Sequence, residues 1–365
     1  MPEKKQKLFE VSSLKCKPSD DEIEITLFGK GVGECVVIHL GGGRYVTIDS
    51  FINTETKRPI ALDYLESMDV SCENIDCVIV THWHKDHVLG VSQLASNVSD
   101  NASFVMPAII QETCFSQFLE INRRQTHSQS PVLEFCSALK TIKERKLRII
   151  LATNDKLIHL RQLRDSDDNN PYVSMYSLSP NDEQMLKYLE YMKKLVVEQT
   201  NRPSYTFDDE NDISTALWLD FISDRALLGG DLESDGWMSV VTNKRLPGKA
   251  SLFKVPHHGS FTGHLESVWR DLLSPAPVSM LSVYSPSGLP KDEDKLRIQE
   301  RSKSMYVAGS RAEILERPDF FKKLNKYSSV ELRSLDSPIG MVRARKQINS
   351  TADWSIECFG QVQSY

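Results

Sequence analysis

The chain has 365 residues, 40% of them hydrophobic and 26% charged, with a formal net charge of −6 and a mean hydropathy of −0.35. Those values fit a folded globular protein of one large domain or two ordinary ones. They exclude a membrane span, since no apolar run approaches the length required, and they give no global attraction for nucleic acid. A local dication would still supply the positive charge that a nucleic-acid substrate needs. The opening "MPEKKQKLFEVSS" is charged and lacks the apolar core of a signal peptide, so a cytoplasmic protein is expected. Seven cysteines, an odd count without a C-x-x-C pair, argue against a disulfide framework and a thiolate zinc site. Cys35, Cys77 and Cys358 read as small buried hydrophobes.

In chain order, residues 23–51 read as two or three β segments, with "GGG" at 41–43 as a hairpin turn. Residues 60–70 fit a short helix and Cys77–Val80 a buried strand. "HVLGVSQLAS" then has the composition of one helix with Asp86 and His87 at its start. Farther on, "KTIKERKLRIILA" is a helix end running into a strand, and "RDSDDNNP" (164–171) is an acidic loop and candidate boundary. A strand is expected over 172–181. A helix over 182–199 follows, with Met185, Leu189, Met192 and Val196 on its core face. The segment "ISTALWLDFISDRALLGGD" has a hairpin pattern. Alternating strands and helices with near-continuous apolar strands indicate an α/β class with buried sheets. No internal repeat is present.

Chemistry concentrates in two stretches, which hold six of the nine histidines. "VIVTHWHKDHVLG" (78–90) ends a β-branched run with His82 and His84 spaced i, i+2, so extended backbone projects both rings to one side. Asp86 and His87 follow as the chain turns into a helix. "FKVPHHGSFTGH" (253–264) ends a second apolar run with adjacent His257 and His258. Between them, "ALLGGD" (226–231) delivers Asp231 beside two glycines. Neutral imidazoles and carboxylates at three strand ends suit Zn²⁺, Mn²⁺ or Fe.

The run Thr81-His82-Trp83-His84-Lys85-Asp86-His87 resembles the T-H-x-H-x-D-H motif of metallo-β-lactamase-fold hydrolases. Several later landmarks are similar to one branch, the hydrolase domain of ComEC-type competence DNA-uptake proteins. These are the glycine-rich "GKGVGECVVIHLGGGRYVTID", Leu178-Ser179-Pro180, Asn211 with Ser214, Gly230-Asp231 and "LFKVPHHGS". The resemblance runs from about 22 to 345. It implies a four-layer αββα sandwich, a single domain over 1–365 with its core at about 22–345 and an extended middle at about 97–210.

It also implies two divalent metal ions, Zn or Mn. His82 and His84 would hold the first, Asp86 and His87 the second, and Asp231 would bridge. His257, the first residue past "KVP", is the preferred remaining ligand, with His258 as the alternative. Asn211 and Ser214 stand where most of the superfamily supplies a third histidine to the first metal, while His127 and His159 lie in unrelated contexts. Asp49, Asn211 and Ser214 are expected behind the ligands. Glu34 stands where the branch carries an aspartate.

The implied activity is a phosphodiesterase or nuclease with a metal-bound hydroxide as nucleophile and Asp86 orienting it. Whichever of His257 and His258 does not ligate, His264 or Lys85 would serve the leaving group; His258 is carried as the catalytic candidate. Ser260, the backbone around Gly259 and Lys85 would hold a phosphate oxygen, although Lys85 and Lys254 read more cheaply as solvated surface charges. Another ester, thioester or lactam is the alternative substrate. A different class of function is a regulatory subunit that docks protein partners through 97–210, for example in a defence complex.

Overall fold

The structure is a computed structural model and describes residues 12–123, 131–163, 172–198, 210–243, 245–310 and 339–365. Its first sheet begins with β1 (Glu22–Gly29), β2 (Glu34–Leu40) and β3 (Tyr45–Ile48), an antiparallel meander. Gly41, Gly42 and Gly43 all have positive φ between β2 and β3, a left-handed path that side chains resist. Then come α1 (Ile60–Ser67), β4 (Ile75–Ile79), α2 (Lys85–Val88), α3 (Val91–Asn97) and β5 (Ser103–Pro107). The helix expected to run on from Asp86 is two short ones. Gly90, at φ 98°, breaks it, and a Cβ there would sit 2.7 Å from Ile52. The chain continues through α4 (Thr113–Arg123), α5 (Pro131–Glu144), β6 (Arg148–Ala152), β7 (Lys156–Gln162), β8 (Tyr172–Ser177) and α6 (Asp182–Glu198).

The second half holds β9 (Leu217–Phe221), β10 (Asp224–Leu228), α7 (Ser234–Asn243), β11 (Ala250–Lys254), β12 (Leu273–Ser282), α8 (Asp292–Gln299) and β13 (Ser304–Ala308). It closes with β14 (Gly340–Gln347), β15 (Ser355–Gly360) and β16 (Val362–Ser364). Two eight-stranded mixed sheets result, ordered β15-β14-β1-β2-β3-β4-β5-β6 and β16-β13-β12-β11-β10-β9-β8-β7. Consecutive strands, β6 with β7 and β15 with β16, thus form the matching edges at the two ends.

Three apolar clusters define the layers. One, including Val46, Ile79, Leu219 and Met280, lies between the sheets. A second packs the first sheet under helices through Trp83, Leu94, Phe118, Phe135 and Met192. The third packs the other sheet under Trp237 and Ile298. The arrangement is the αββα metallo-β-lactamase sandwich. On α6 the buried line runs through Tyr188 and Met192, with Leu189 and Val196 partly buried beside it. Residues 97–210 supply β5 and β6 to one sheet and β7 and β8 to the other.

All seven cysteines are free thiols; Cys35 and Cys77 are buried. Cys358, expected inside, is exposed because β15 is an edge strand with a largely open face. The acidic 164–171 loop and His127 lie outside the described residues. Among the described residues no helix is long and apolar enough to cross a membrane.

Candidate metal centre

Strands β3 and β4 run parallel, as do β10, β11 and β12, and their C-terminal tips lie level: Ile48 is opposite Ile79, and Leu228 opposite Lys254. Asp49 follows β3, the 82–87 stretch follows β4, Asp231 follows β10, and the 257–258 pair follows β11. Chain elements far apart in sequence therefore end at one edge of the sandwich, and a backbone bond from Thr215 N–H to the Thr81 carbonyl ties the two halves together there.

His82, Asp86, His87, Asp231 and His258 are all buried. The His82 and His87 ring centroids are 4.3 Å apart and those of His82 and His84 4.6 Å. His87 Nε2 lies 3.3 Å from Asp86 Oδ2 and 3.2 Å from Asp231 Oδ2. His258 Nε2 lies 3.1 Å from Asp86 Oδ2 and 3.6 Å from Asp231 Oδ2. Asp86, His87, Asp231 and His258 thus offer donor atoms all within 4.8 Å of one another. Glu34, Asp49 and His87 form a second such group. Its oxygens are already engaged by Lys254, Ser282, Thr81 and the His87 Nδ1–H, so the first group is the better cation cradle.

The hydrogen bonds fix how each ring is turned. Thr81 donates its hydroxyl to Asp49 Oδ2 (2.7 Å), so toward His82 Nδ1 (3.0 Å) it can only accept. Likewise Ser282 donates to Glu34 Oε2 (2.5 Å) and must accept from His258 Nδ1 (2.8 Å). Asp49 Oδ2 accepts from His87 Nδ1 (2.8 Å). Three buried imidazoles are therefore held with Nδ1–H tied to an oxygen and Nε2 facing inward, the arrangement by which outer-shell groups orient metal-binding histidines. Among the described residues, His82 Nε2, His87 Nε2, Asp231 Oδ1 and Asn211 Oδ1 are buried without a hydrogen-bond partner. Such orphaned atoms are costly unless something binds them, and this donor set of imidazole and carboxylate suits a divalent cation.

Electrostatics point the same way. Burial opposes charging His87, yet the carboxylates of Asp231, Asp86 and Asp49 hold its pKa well above the usual imidazole value. Burial raises Asp86 and Asp231, but the His87 ring beside them outweighs it and both fall well below the usual carboxylate range. Burial lifts the pKa of Asp49. His82 is held well below its ordinary value by burial and by its neighbours His87 and His84. The pocket demands positive charge.

His258, not the preferred His257, enters this cluster. His257, His258 and Gly259 have φ of 48°, 51° and 82°, a left-handed run that sends the two rings apart, with centroids 6.4 Å from each other. His258 stacks on Tyr284 at 5.0 Å. His257 faces outward to Asn211 Nδ2 (3.3 Å), Thr262 Oγ1 (2.9 Å) and Glu233 Oε1 (3.2 Å). Ser214 Oγ accepts from Asp231 N–H (2.9 Å) and so sets the start of that loop. Ser260 caps the following turn through Thr262 N–H. Lys85 is half-buried at the start of α2. His264 turns away, its Nδ1 accepting from Trp269 and its Nε2 near Glu266.

Lys254, read as a solvated charge, is buried: its ammonium pairs with Glu34, donates to Gly230 O (2.9 Å) and lies 3.8 Å from Asp231 Oδ1. Burial opposes its charge, but Glu34 and Asp231 more than restore it. Sequence reasoning missed Ser282, Glu233 and Thr262, which carry no motif, and left the place of Glu34 open.

Residues 28–102 match the family model described as metallo-beta-lactamase superfamily. That stretch takes in Glu34, Asp49 and the whole 82–87 constellation. No curated protein sequence matches the chain. Among solved structures the chain is similar to Zn²⁺-bound PqqB from Methylobacterium extorquens, at 10% identity and TM-score 0.40 over 78% of this chain and 97% of that one. Human tRNase Z, short form, is similar at 14% identity and TM-score 0.31, over 63% and 76%. CmlA, a diiron β-hydroxylase from Streptomyces venezuelae, is similar at 12% and 0.35, over 66% and 35%. The chain thus spans about a third of the length of CmlA. Likenesses this loose carry no argument about activity.

Proposed function

We propose that this protein is a metal-dependent phosphodiesterase acting on nucleic acid or a nucleotide, with two divalent ions, Zn or Mn, as its cofactors. The observation that carries the metal reading is the convergence of the inward-facing Nε2 atoms of His87 and His258 on the carboxylates of Asp86 and Asp231, beside the unpartnered Nε2 of His82. His82 and His84 would hold one ion, and Asp86, His87 and His258 the other, with Asp231 between them. Cations held there would supply Lewis acidity, acidifying water and neutralising charge on a phosphoryl oxygen.

The chain's own residues do the rest. Asp49, Thr81, Ser282 and Glu34 keep the imidazoles aligned, and Lys254 steadies the Asp231 loop. Because His258 turns inward, the proton-donor role expected of the second histidine passes to His257 at the rim, where Asn211, Thr262 and Glu233 orient it. Ser260 and Lys85 would serve substrate oxygens.

Two features support a nucleotide-bearing substrate. One is the likeness of "LFKVPHHGS" and its companion motifs to the DNA-uptake branch. The other is Phe261, 71% exposed beside Ser260, with the Arg297 guanidinium 5.3 Å from its ring centroid, a planar surface on which a base can stack.

The test is digestion of single- and double-stranded DNA and RNA and of cyclic nucleotides with added Mn²⁺ or Zn²⁺. Cleavage that falls at least a hundredfold in Asp231→Ala is expected. Failure to cut any phosphodiester, with both metals bound, overturns the reading.

A further inference from the structure

A second feature lies away from the strand tips, at the sandwich end where β6 and β7 form the two sheet edges. Among the described strands β6 pairs only with β5, and β7 only with β8. Between them is a cleft of about 570 Å³ lined by Arg148, Ile149, Leu151, Lys156, Leu157 and Leu160, among others, with no carboxylate in the lining. Ile149, Leu157 and Leu160 are 41%, 44% and 50% exposed. An unpaired edge with exposed apolar side chains is a template for another strand, and folded proteins normally guard it.

The guards here are partial. The β7–β8 pairing has a bulge between Leu157 and His159, which twists β7 away from regular pairing. The pairing of β6 with β5 is unbroken over all five residues. Its Leu151 carbonyl is met by the Lys156 ammonium at 2.6 Å instead of by a strand.

Charge selects the occupant. The charged side chains in the lining are Arg148 and Lys156, both cationic. A second copy docking edge to edge would set Arg148 and Lys156 against themselves, and directly opposed like charges destabilise strand pairs. A nucleic acid would meet the cations but leave the three aliphatic side chains without partners.

We infer that the β6 edge, roofed by Leu157 and Leu160, binds an extended segment of a partner protein in which acidic and aliphatic residues alternate, adding it to the first sheet as a further strand. Strand addition draws affinity from main-chain hydrogen bonds and specificity from alternate side chains. The aliphatic positions would cover Ile149, Leu157 and Leu160, and the acidic ones would face Arg148 and Lys156.

The experiment is fluorescence anisotropy on the full chain with a labelled octapeptide of alternating glutamate and valine. The comparison probes are a lysine–valine counterpart, the acidic peptide with two central prolines, and a labelled eight-nucleotide single strand. The acidic peptide is expected to bind at least tenfold more tightly than the lysine and proline versions. The double substitution Arg148→Glu, Lys156→Glu should weaken it at least tenfold while melting temperature and metal content stay unchanged. Leu160→Thr, a milder change at an exposed site, should weaken it severalfold. No binding of the acidic peptide, equal binding of the proline version, indifference to charge reversal, or capture of the oligonucleotide in its place would each overturn the inference.

Discussion

Ser282 has no motif around it, yet its one hydroxyl hydrogen decides the tautomer of His258. The proton goes to the Glu34 carboxylate, so the oxygen can only accept from Nδ1, and Nε2 is turned toward Asp86 Oδ2 in the cation cradle. Removing that bridge should loosen the ring without emptying the core. Ser282→Ala is expected to lower affinity for Zn²⁺ or Mn²⁺ about 10- to 100-fold, the usual cost of losing an outer-shell partner. Competition titration against a chromogenic chelator measures it, and an unchanged dissociation constant would show that Ser282 does not orient the ligand. The adjacent histidines teach a related point. In extended backbone, neighbours alternate sides, which does not say which ring enters a site. Left-handed φ values at 257 and 258 settle it for His258.

At the scale of elements, the hairpin of β2 and β3 was legible from its glycines, whereas the internal brace of that hairpin was not. His39 is fully buried on β2; its Nδ1–H donates to Glu22 O (2.9 Å) and its Nε2 accepts from Gly43 N–H (3.0 Å). Burial, outweighing the Glu22 carbonyl, brings its pKa down from 6.5 to about 4. In the unfolded chain the ring gains a proton below about pH 6.5, while in the folded chain it resists until about pH 4. The unfolded state therefore binds more protons in that window, and stability falls as the pH drops through it. Above 6.5 the contribution is complete. The loss is roughly 3 kcal/mol between those limits. His39→Gln keeps a donor and an acceptor but cannot titrate, so chemical denaturation at pH 7 and pH 4.5 should show a smaller acid loss than in the wild type. Parallel losses would refute the assignment. The split of α2 from α3 escaped sequence reading for a comparable reason: helix composition continues across Leu89-Gly90, and the left-handed φ and the close approach of Ile52, Ser50 and Pro59 that require glycine there are tertiary facts.

For the whole molecule, the sheets and the site depend on each other. Asp86 and Asp231 come from different halves of the chain and are held close together at the joint between two sheets. Divalent ions that neutralised them would bind the folded state alone and so stabilise it by mass action, about 2.7 kcal/mol at a free concentration a hundred times the dissociation constant. Chelator-dialysed protein is expected to melt several degrees below protein supplied with Zn²⁺ or Mn²⁺, and Asp231→Ala should largely abolish the difference. A melting temperature indifferent to both ions would count against a cation site bridging the halves. The β6 and β7 edges belong to this scale too, since neither strand by itself reads as exposed.

Much of this protein was determined by local sequence. Runs of β-branched residues ending in histidine or aspartate read as strand tips carrying ligands, because strand period and side-chain chemistry are properties of neighbours along the chain. The α/β class follows from the same local patterns. Tertiary structure alone decided that His258 turns in and His257 out, that Lys254 is a buried cation beside Asp231, and that Glu34 and Ser282 serve a histidine more than 200 residues from Glu34. Those facts depend on which tips meet across two sheets and which backbone dihedrals the meeting imposes. Contact across space, unlike periodicity, leaves no trace in a single sequence.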